Sequence, residues 1–209
     1  MRRLEHKEEA ILGLEKARQY AESHRKYAKF MYGSFLKYVK SLDSIKQCLE
    51  IGSGPATLTA MVAECNPQLH ITGVDISSDM VTVAQEYIVE KELQDRICFV
   101  IGDAANERVI EELGQFDLVY SFFSMHHWED PEKIISNLLK AINDGGILYL
   151  HDFRRVWWVR YLPINTRDIN EIRAAYTPAE IKALLQKLGL RQYEIRKVFP
   201  IFQSVIVTK

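Results

Sequence analysis

Long apolar runs are missing from this 209-residue chain. No stretch approaches the roughly 20 consecutive apolar residues that a membrane-spanning helix needs. An excess of one charge is missing too. Lys and Arg number 27 against 28 Asp and Glu, so no global field draws the chain to nucleic acid or to a membrane surface. Cysteine is scarce: Cys48, Cys65 and Cys98 share no CxxC spacing. That excludes a disulfide framework and suits a reducing, cytoplasmic setting. Cys48 and Cys98 fall in apolar runs and are expected to be buried thiols. Internal repeats and low-complexity segments are absent. Met1-Arg2-Arg3 runs into charged residues and not an apolar core, so no secretory leader is expected.

What is present is a hydrophobic content of 47%, enough for a real core. The length fits one domain, or one domain with an appendage. From residue 45 the chain alternates. Apolar runs at Ile45–Ile51, His70–Val74, Ile97–Ile101, Phe116–Phe122 and Ile147–Leu150 read as strands. Helical patterns lie between them at Pro55–Glu64, Asp79–Lys91, Glu107–Leu113 and Pro131–Ile142. Strands apolar on both faces and separated by helices predict an α/β fold, a Rossmann-like, doubly wound, mostly parallel sheet. The punctuation agrees. Asn66-Pro67 stops one helix, Asp130-Pro131 caps another, and Thr177-Pro178-Ala179-Glu180 is a capping box for a helix ending at Gly189. Two last strands, about 191–198 and 201–208, joined at Pro200, form an antiparallel hairpin and bring the sheet to seven strands. Residues 5 to about 42 read as helical, with Gly33 separating two helices. They make an N-terminal lid or appendage over 1–42, packed on a main domain over 43–209.

The centre of the pattern is Glu50-Ile51-Gly52-Ser53-Gly54-Pro55-Ala56-Thr57. An apolar strand ends in an acid, a glycine turn follows, and Pro55 is placed to open a helix. Glycine lets a ligand approach without a Cβ in the way, and a helix start offers free N–H groups to an anionic group. Glu50, Asp75 and Asp103 sit just past three successive strands, at the carboxyl edge where such sheets bind ligands. A carboxylate at Asp75 can accept both hydroxyl hydrogens of a ribose, and Asp103 can accept from an adenine amino group. A dinucleotide fingerprint, G-x-G-x-x-G, fails because its third glycine is Thr57.

These residues resemble the class I S-adenosylmethionine-dependent methyltransferases. Glu50-Ile51-Gly52-Ser53-Gly54 is similar to the first motif of that family, Val74-Asp75-Ile76-Ser77 to its ribose-binding strand end, and Gly102-Asp103-Ala104 to its adenine-binding turn. Phe116-Asp117-Leu118-Val119-Tyr120-Ser121 resembles its fourth strand. Ser124-Met125-His126-His127-Trp128-Glu129-Asp130-Pro131 is similar to a loop of the ubiquinone/menaquinone-biosynthesis-like branch. The likeness is close over residues 45–152 and reaches the C-terminal hairpin in topology. Ala56 departs from it, standing where the family often has a third glycine.

The resemblance implies S-adenosyl-L-methionine as cofactor, S-adenosyl-L-homocysteine as product, and roles position by position. Gly52, Ser53 and Gly54 would pass beneath the methionine portion. Glu50 would hold the loop, Asp75 the ribose, Ile76 the adenine face, Asp103 and Ala104 the adenine edge, and Ser121 the methionine end. His126 follows the fourth strand, next to the methyl site of this fold, and is the candidate base. His127 is a candidate acceptor contact, and so is His151-Asp152, which ends the fifth strand and faces the same crevice. No metal site is expected, because adjacent histidines do not readily face one ion and no further ligand stands at a useful spacing. Residues 153–175 match no branch. They carry Arg154, Arg155, Arg160, Arg167 and Arg173 against Asp168 and Glu171, beside Trp157 and Trp158. Arg154, Arg155, Trp157 and Trp158, with Tyr27 and Tyr32 of the lid, are expected to meet a small, anionic or aromatic acceptor. The fourth strand lacks the N/D-P-P-Y that accompanies methylation of planar amino groups. A tRNA or rRNA methyltransferase and a non-catalytic cofactor-binding module are the rival readings. A monomer or homodimer without nucleic acid or membrane partners is expected.

Overall fold

A computed structural model describes residues 3–4, 13–161 and 166–209. The long N-terminal helix α1 (Leu14–Lys40) leads into alternating strands and helices: β1 (Gln47–Ile51), α2 (Thr57–Cys65), β2 (His70–Asp75), α3 (Ser78–Glu90), β3 (Ile97–Ile101), α4 (Glu107–Glu112), β4 (Phe116–Phe122), α5 (Pro131–Lys140) and β5 (Ile142–Phe153). Then come α6 (Arg167–Ala174), α7 (Pro178–Lys187), β6 (Tyr193–Val198) and β7 (Phe202–Thr208). The sheet has seven strands in the order β3-β2-β1-β4-β5-β7-β6. β1 to β5 are parallel, while β7 runs antiparallel to β5 and to β6. The expected Rossmann-like architecture is therefore present. The strand order reverses beside β1, which opens a crevice at the carboxyl ends of β1 and β4.

Alternation of side chains along each strand divides the core in two. Cys48, Leu118 and Tyr120 join α1, α2 and α3 on one face. Leu49, Ile51, Val119 and Leu148 join Ile110, Ile135, Leu138 and Leu185 of α4, α5 and α7 on the other. β3 lies at the edge of the sheet, where cover is incomplete. This is why Cys98, expected to be buried, is exposed.

Gly33 does not split the N-terminal segment. α1 runs unbroken through it because Ala21, Ala28, Tyr32, Phe35 and Val39 form one buried stripe. Packing along that stripe outweighs the roughly 1 kcal/mol that glycine costs in a helix interior. The helical turns expected over 5–12, with Ile11, lie outside the described residues, as do residues 162–165 of the insertion and the side chains of Arg160 and Arg167. Capping follows the sequence closely. Asp130 accepts from the Lys133 N–H, and Thr177 and Glu180 close a reciprocal capping box. β5 is longer than expected because Ile142, before the Asp144-Gly145-Gly146 bend, already pairs with Phe116. No helix among the described residues is long and apolar enough to cross a membrane.

Candidate active site

A cavity of about 890 Å³ opens at the crevice beside β1. Its floor is the turn from β1 to α2. The Gly52 and Ser53 N–H groups both donate to the Val74 carbonyl, at 2.8 and 3.2 Å, which ties the turn to β2. Gly52 has φ +70°, and a Cβ there would meet Ser124 Oγ at 2.6 Å. Only glycine fits both the backbone and the space. Ala56 also takes a left-handed conformation, φ 59°, so α2 starts at Thr57 and not at Pro55. That accounts for the family's third glycine, since alanine pays a steric penalty in this region. Ser53 Oγ and Thr57 Oγ1 line the cavity, are buried, and have no hydrogen-bond partner among the described residues.

Three carboxylates surround this turn. Asp75 Oδ2 accepts from the Gly54 N–H at 2.7 Å and Oδ1 from the Ser77 N–H at 2.9 Å. Burial raises Asp75 above the usual carboxylate range against the pull of those N–H groups. Glu50 is fully buried, and its Oε2 accepts from Thr59 Oγ1 at 2.6 Å and Tyr120 Oη at 3.1 Å. Burial pushes its carboxyl up to about 8, and the nearby Asp75 adds to the effect. Asp103 is exposed at the rim, with Oδ1 accepting from the Ala105 N–H at 2.8 Å. Ile76, 61% exposed, presents an apolar face to the same space.

The raised Glu50 has a consequence for stability. Its carboxyl is protonated in the folded chain up to about pH 8, whereas in the unfolded chain it ionises near 4.5. Over that window the unfolded state loses the proton first, so this group makes stability fall as pH rises. Glu50→Gln keeps an acceptor for Thr59 and Tyr120 and removes the titration. Its Tm should match the parent's near pH 5 and exceed it at pH 8.5. Parallel Tm curves across that range would show that Glu50 does not titrate there.

Beyond β4 the chain turns through Phe123, φ 52°, into a 3₁₀ turn at Met125–His127. His126 is 1% exposed and doubly held by Asp152 of β5. Its backbone N–H donates to Asp152 Oδ2 at 2.7 Å, and its Nδ1 lies 2.6 Å from Oδ1. A carboxylate only accepts, so Nδ1 carries the proton and the ring is locked in one tautomer. Both His126 and His127 line the cavity, as do Phe122, Phe123, Phe153 and Phe202.

A family model described as a methyltransferase domain matches residues 49–148. Among curated proteins, the mitochondrial ubiquinone biosynthesis O-methyltransferase of Candida albicans is 25% identical over 167 residues, covering 74% of this chain and 49% of that protein. An O-methyltransferase family protein of Burkholderia thailandensis has the same fold, with a TM-score of 0.73 at 16% identity over 93% of this chain and 59% of that one. Residues 49–148 thus match a methyltransferase domain, and the chain has the fold of the class I S-adenosylmethionine-dependent methyltransferases. The plantazolicin methyltransferase BpumL, solved in complex with SAH, shares the fold at a TM-score of 0.71 and 13% identity, covering 93% of this chain and 90% of that one. The chain spans 25–49% of the first curated relatives it matches.

The cavity lining fits S-adenosylmethionine, the methyl donor of the methyltransferases that the chain resembles. Unpartnered Ser53 Oγ and Thr57 Oγ1 at the open start of α2 suit an amino-acid group, and a Cβ on Gly54 would meet nothing within 4 Å. Asp75 keeps acceptor capacity beyond the Gly54, Ile76 and Ser77 N–H groups, because a carboxylate offers about four lone-pair sites. Ala104 is buried, and its carbonyl accepts from Asn137 Nδ2 at 2.9 Å, which fixes the turn beside Asp103. Ser121 stands apart from the cavity lining. Its hydroxyl donates to the Ile51 carbonyl at 2.8 Å and locks β4 to β1.

The expected acceptor contacts divide. Tyr32 and His127 line the cavity, and Tyr32 Oη pairs with His24 Nε2 at 2.9 Å. Tyr27 is 66% exposed on the far side of its helix turn and does not line it. His151 bonds Ser204 Oγ at 2.8 Å and stacks on Phe122, and burial lowers it to about 4, a neutral packing residue. The arginines are engaged elsewhere. Arg154 donates to the Pro200 and Phe202 carbonyls. Arg155 is buried, donates to the Ala175 carbonyl and pairs with Glu180 of α7. Trp157 and Trp158 point to solvent, away from the cavity lining. The pair His151-Asp152 was expected at the crevice, and of the two it is Asp152 that meets His126, while Glu171 was not anticipated. Asp152 was legible only as the neighbour of His151, and strand alternation turns the two side chains to opposite faces of the sheet.

Arg155 is thus a stability residue. Removing one partner of a buried ion pair is costly, and Glu180 is half exposed, so Arg155→Ala should destabilise by about 2–3 kcal/mol. That corresponds to a Tm about 5–10 °C lower for a chain of this size. Affinity for S-adenosylhomocysteine, by calorimetry, should not change. A normal Tm with weakened ligand binding would place Arg155 in the site after all.

Proposed function

We propose that this methyltransferase methylates a hydroxyl group on a small aromatic or apolar molecule, with the His126–Asp152 pair receiving the hydroxyl proton. The observation that carries the reading is the double anchoring of His126, which lines the cavity, by the buried carboxylate of Asp152. Fixing Nδ1 as the protonated nitrogen makes Nε2 the basic one, and Asp152 stabilises the imidazolium that forms. Methylation of an oxygen profits from a base because the reactive atom carries a proton. Four phenylalanines on the lining suit an aromatic body and keep water out. Arg154 and Arg155 are occupied by backbone and Glu180, so the case for an anionic acceptor loses its main support.

Bound S-adenosylmethionine supplies an electrophilic methyl group on a sulfonium. The chain's own work is to hold the acceptor oxygen in line and to take its proton at His126 Nε2. α1 serves as the cover over this cavity, since Tyr20, Ser23, His24, Met31 and Tyr32 all line it. The O-methyltransferase names among the curated relatives support an oxygen acceptor. The test is transfer of label from methyl-labelled S-adenosylmethionine to a panel of phenols, catechols and aliphatic alcohols, with amines as comparison. Transfer to phenolic or catechol oxygen is expected. Transfer to amines alone would overturn the reading.

A further inference from the structure

Two histidines adjacent in sequence gain a third partner from tertiary structure. One ligand atom each from His126, His127 and Glu171 lie within 4.8 Å of one another, on the cavity lining. The elements carrying them are held in place by the protein itself. Asp152 grips His126 at two points. The His127 N–H donates to the Ser124 carbonyl at 3.0 Å. Arg3 bridges the two elements, with Nη2 donating to the His126 carbonyl at 3.0 Å and Nε to the Ala174 carbonyl at 2.6 Å, at the end of α6. The histidine rings lie 3.8 Å apart between centroids at 48° to each other, so they are not stacked flat.

We propose that His126, His127 and Glu171 form a binding site for one divalent transition cation, Zn²⁺ being the best match, at the acceptor end of the cavity. Two imidazole nitrogens and one carboxylate oxygen are a donor set that suits such ions, and three protein ligands leave a position open toward the cavity. Zinc–ligand distances near 2.0–2.1 Å put tetrahedral donors about 3.3 Å apart, within reach of small side-chain rotations from the present spacing. Asp152 at His126 Nδ1 is the outer carboxylate that orients a metal-bound histidine and raises its basicity. Binding takes the same Nε2 lone pair that would receive the acceptor proton. The cation therefore competes with the acceptor and leaves the cofactor in place. That consequence rests on the base role proposed above; the binding itself does not.

The experiment is titration of the full chain, saturated with S-adenosylhomocysteine, with ZnCl₂ by calorimetry and with CoCl₂ by visible absorption. One equivalent of Zn²⁺ is expected, with Co²⁺ giving the intense bands of a four-coordinate site. Glu171→Gln and His127→Gln should each weaken Zn²⁺ at least 10-fold, and Asp152→Asn about 10- to 100-fold. S-adenosylhomocysteine affinity of the two Gln variants should stay within twofold of the parent, which shows that they fold. Absence of saturable binding, or binding indifferent to both Gln variants and lost in Cys98→Ser, would overturn the site. Zn²⁺ binding at these residues without inhibition of methyl transfer would keep the site and reject the base role of His126. Base-dependent transfer by a chain that does not bind Zn²⁺ would reject the site alone.

Discussion

Replacing Asp75 with alanine should weaken binding of S-adenosylhomocysteine by about 100- to 1000-fold. Each hydrogen bond from a ribose hydroxyl to an ionised carboxylate contributes about 1.5–3 kcal/mol, and tenfold in affinity is about 1.4 kcal/mol. Two such bonds alone reach the lower bound. The same carboxylate holds the Gly54 and Ser77 N–H groups, so alanine also releases the turn that forms the cavity floor. Asp103→Ala should cost far less, about 10-fold, because Asp103 is exposed at the rim, where a single hydrogen bond contributes little. Calorimetry with S-adenosylhomocysteine measures both, and circular dichroism checks that each variant folds. Equal effects of the two substitutions, or an Asp75→Ala affinity within threefold of the parent, would remove Asp75 from the ribose site.

The contrast between these two acids also shows what a linear sequence conveys. Glu50, Asp75 and Asp103 were legible because each is tied to a strand end, and strands announce themselves as apolar runs bounded by turns. The glycine turn was legible for a similar reason, since Gly52 answers a local demand of φ and space. Local rules also placed the Asp130 cap and the Thr177–Glu180 capping box. What stayed hidden depends on which groups meet across the fold. The arginines of the insertion looked like an anion site by composition, yet Arg155 is consumed by Glu180 and the Ala175 carbonyl, and Arg154 by the hairpin turn. A cation near aromatic residues has no address in sequence until its partner is known. Gly33 misled in the same way, because the stripe that holds α1 straight is made by neighbours on α2 and the sheet. Glu171 reaches His126 and His127 only through the packing of α6 against the 3₁₀ turn.

The base role of His126 makes a sharper demand than loss of activity. His126→Gln should lower kcat by about 100- to 10,000-fold on a simple phenol, the range a positioned general base contributes. Affinity for S-adenosylhomocysteine should hold, because His126 lies outside the glycine turn and its carboxylates. A structural histidine could produce the same fall by disordering the loop, so the acceptor's own acidity is the better probe. Across a series of nitro- and halogen-substituted phenols, those with a pKa well below the assay pH are already ionised and need no base. The defect of His126→Gln should shrink steadily along that series and nearly vanish at its acidic end. Asp152→Asn should follow the same slope with a smaller intercept. A single amide oxygen can serve either the His126 N–H or Nδ1–H, and the amide NH₂ then faces a second donor. A defect of constant size across all the phenols would mean that the histidine only shapes the loop. The proton would then leave by another route, and the buried Asp152 contact would be architecture.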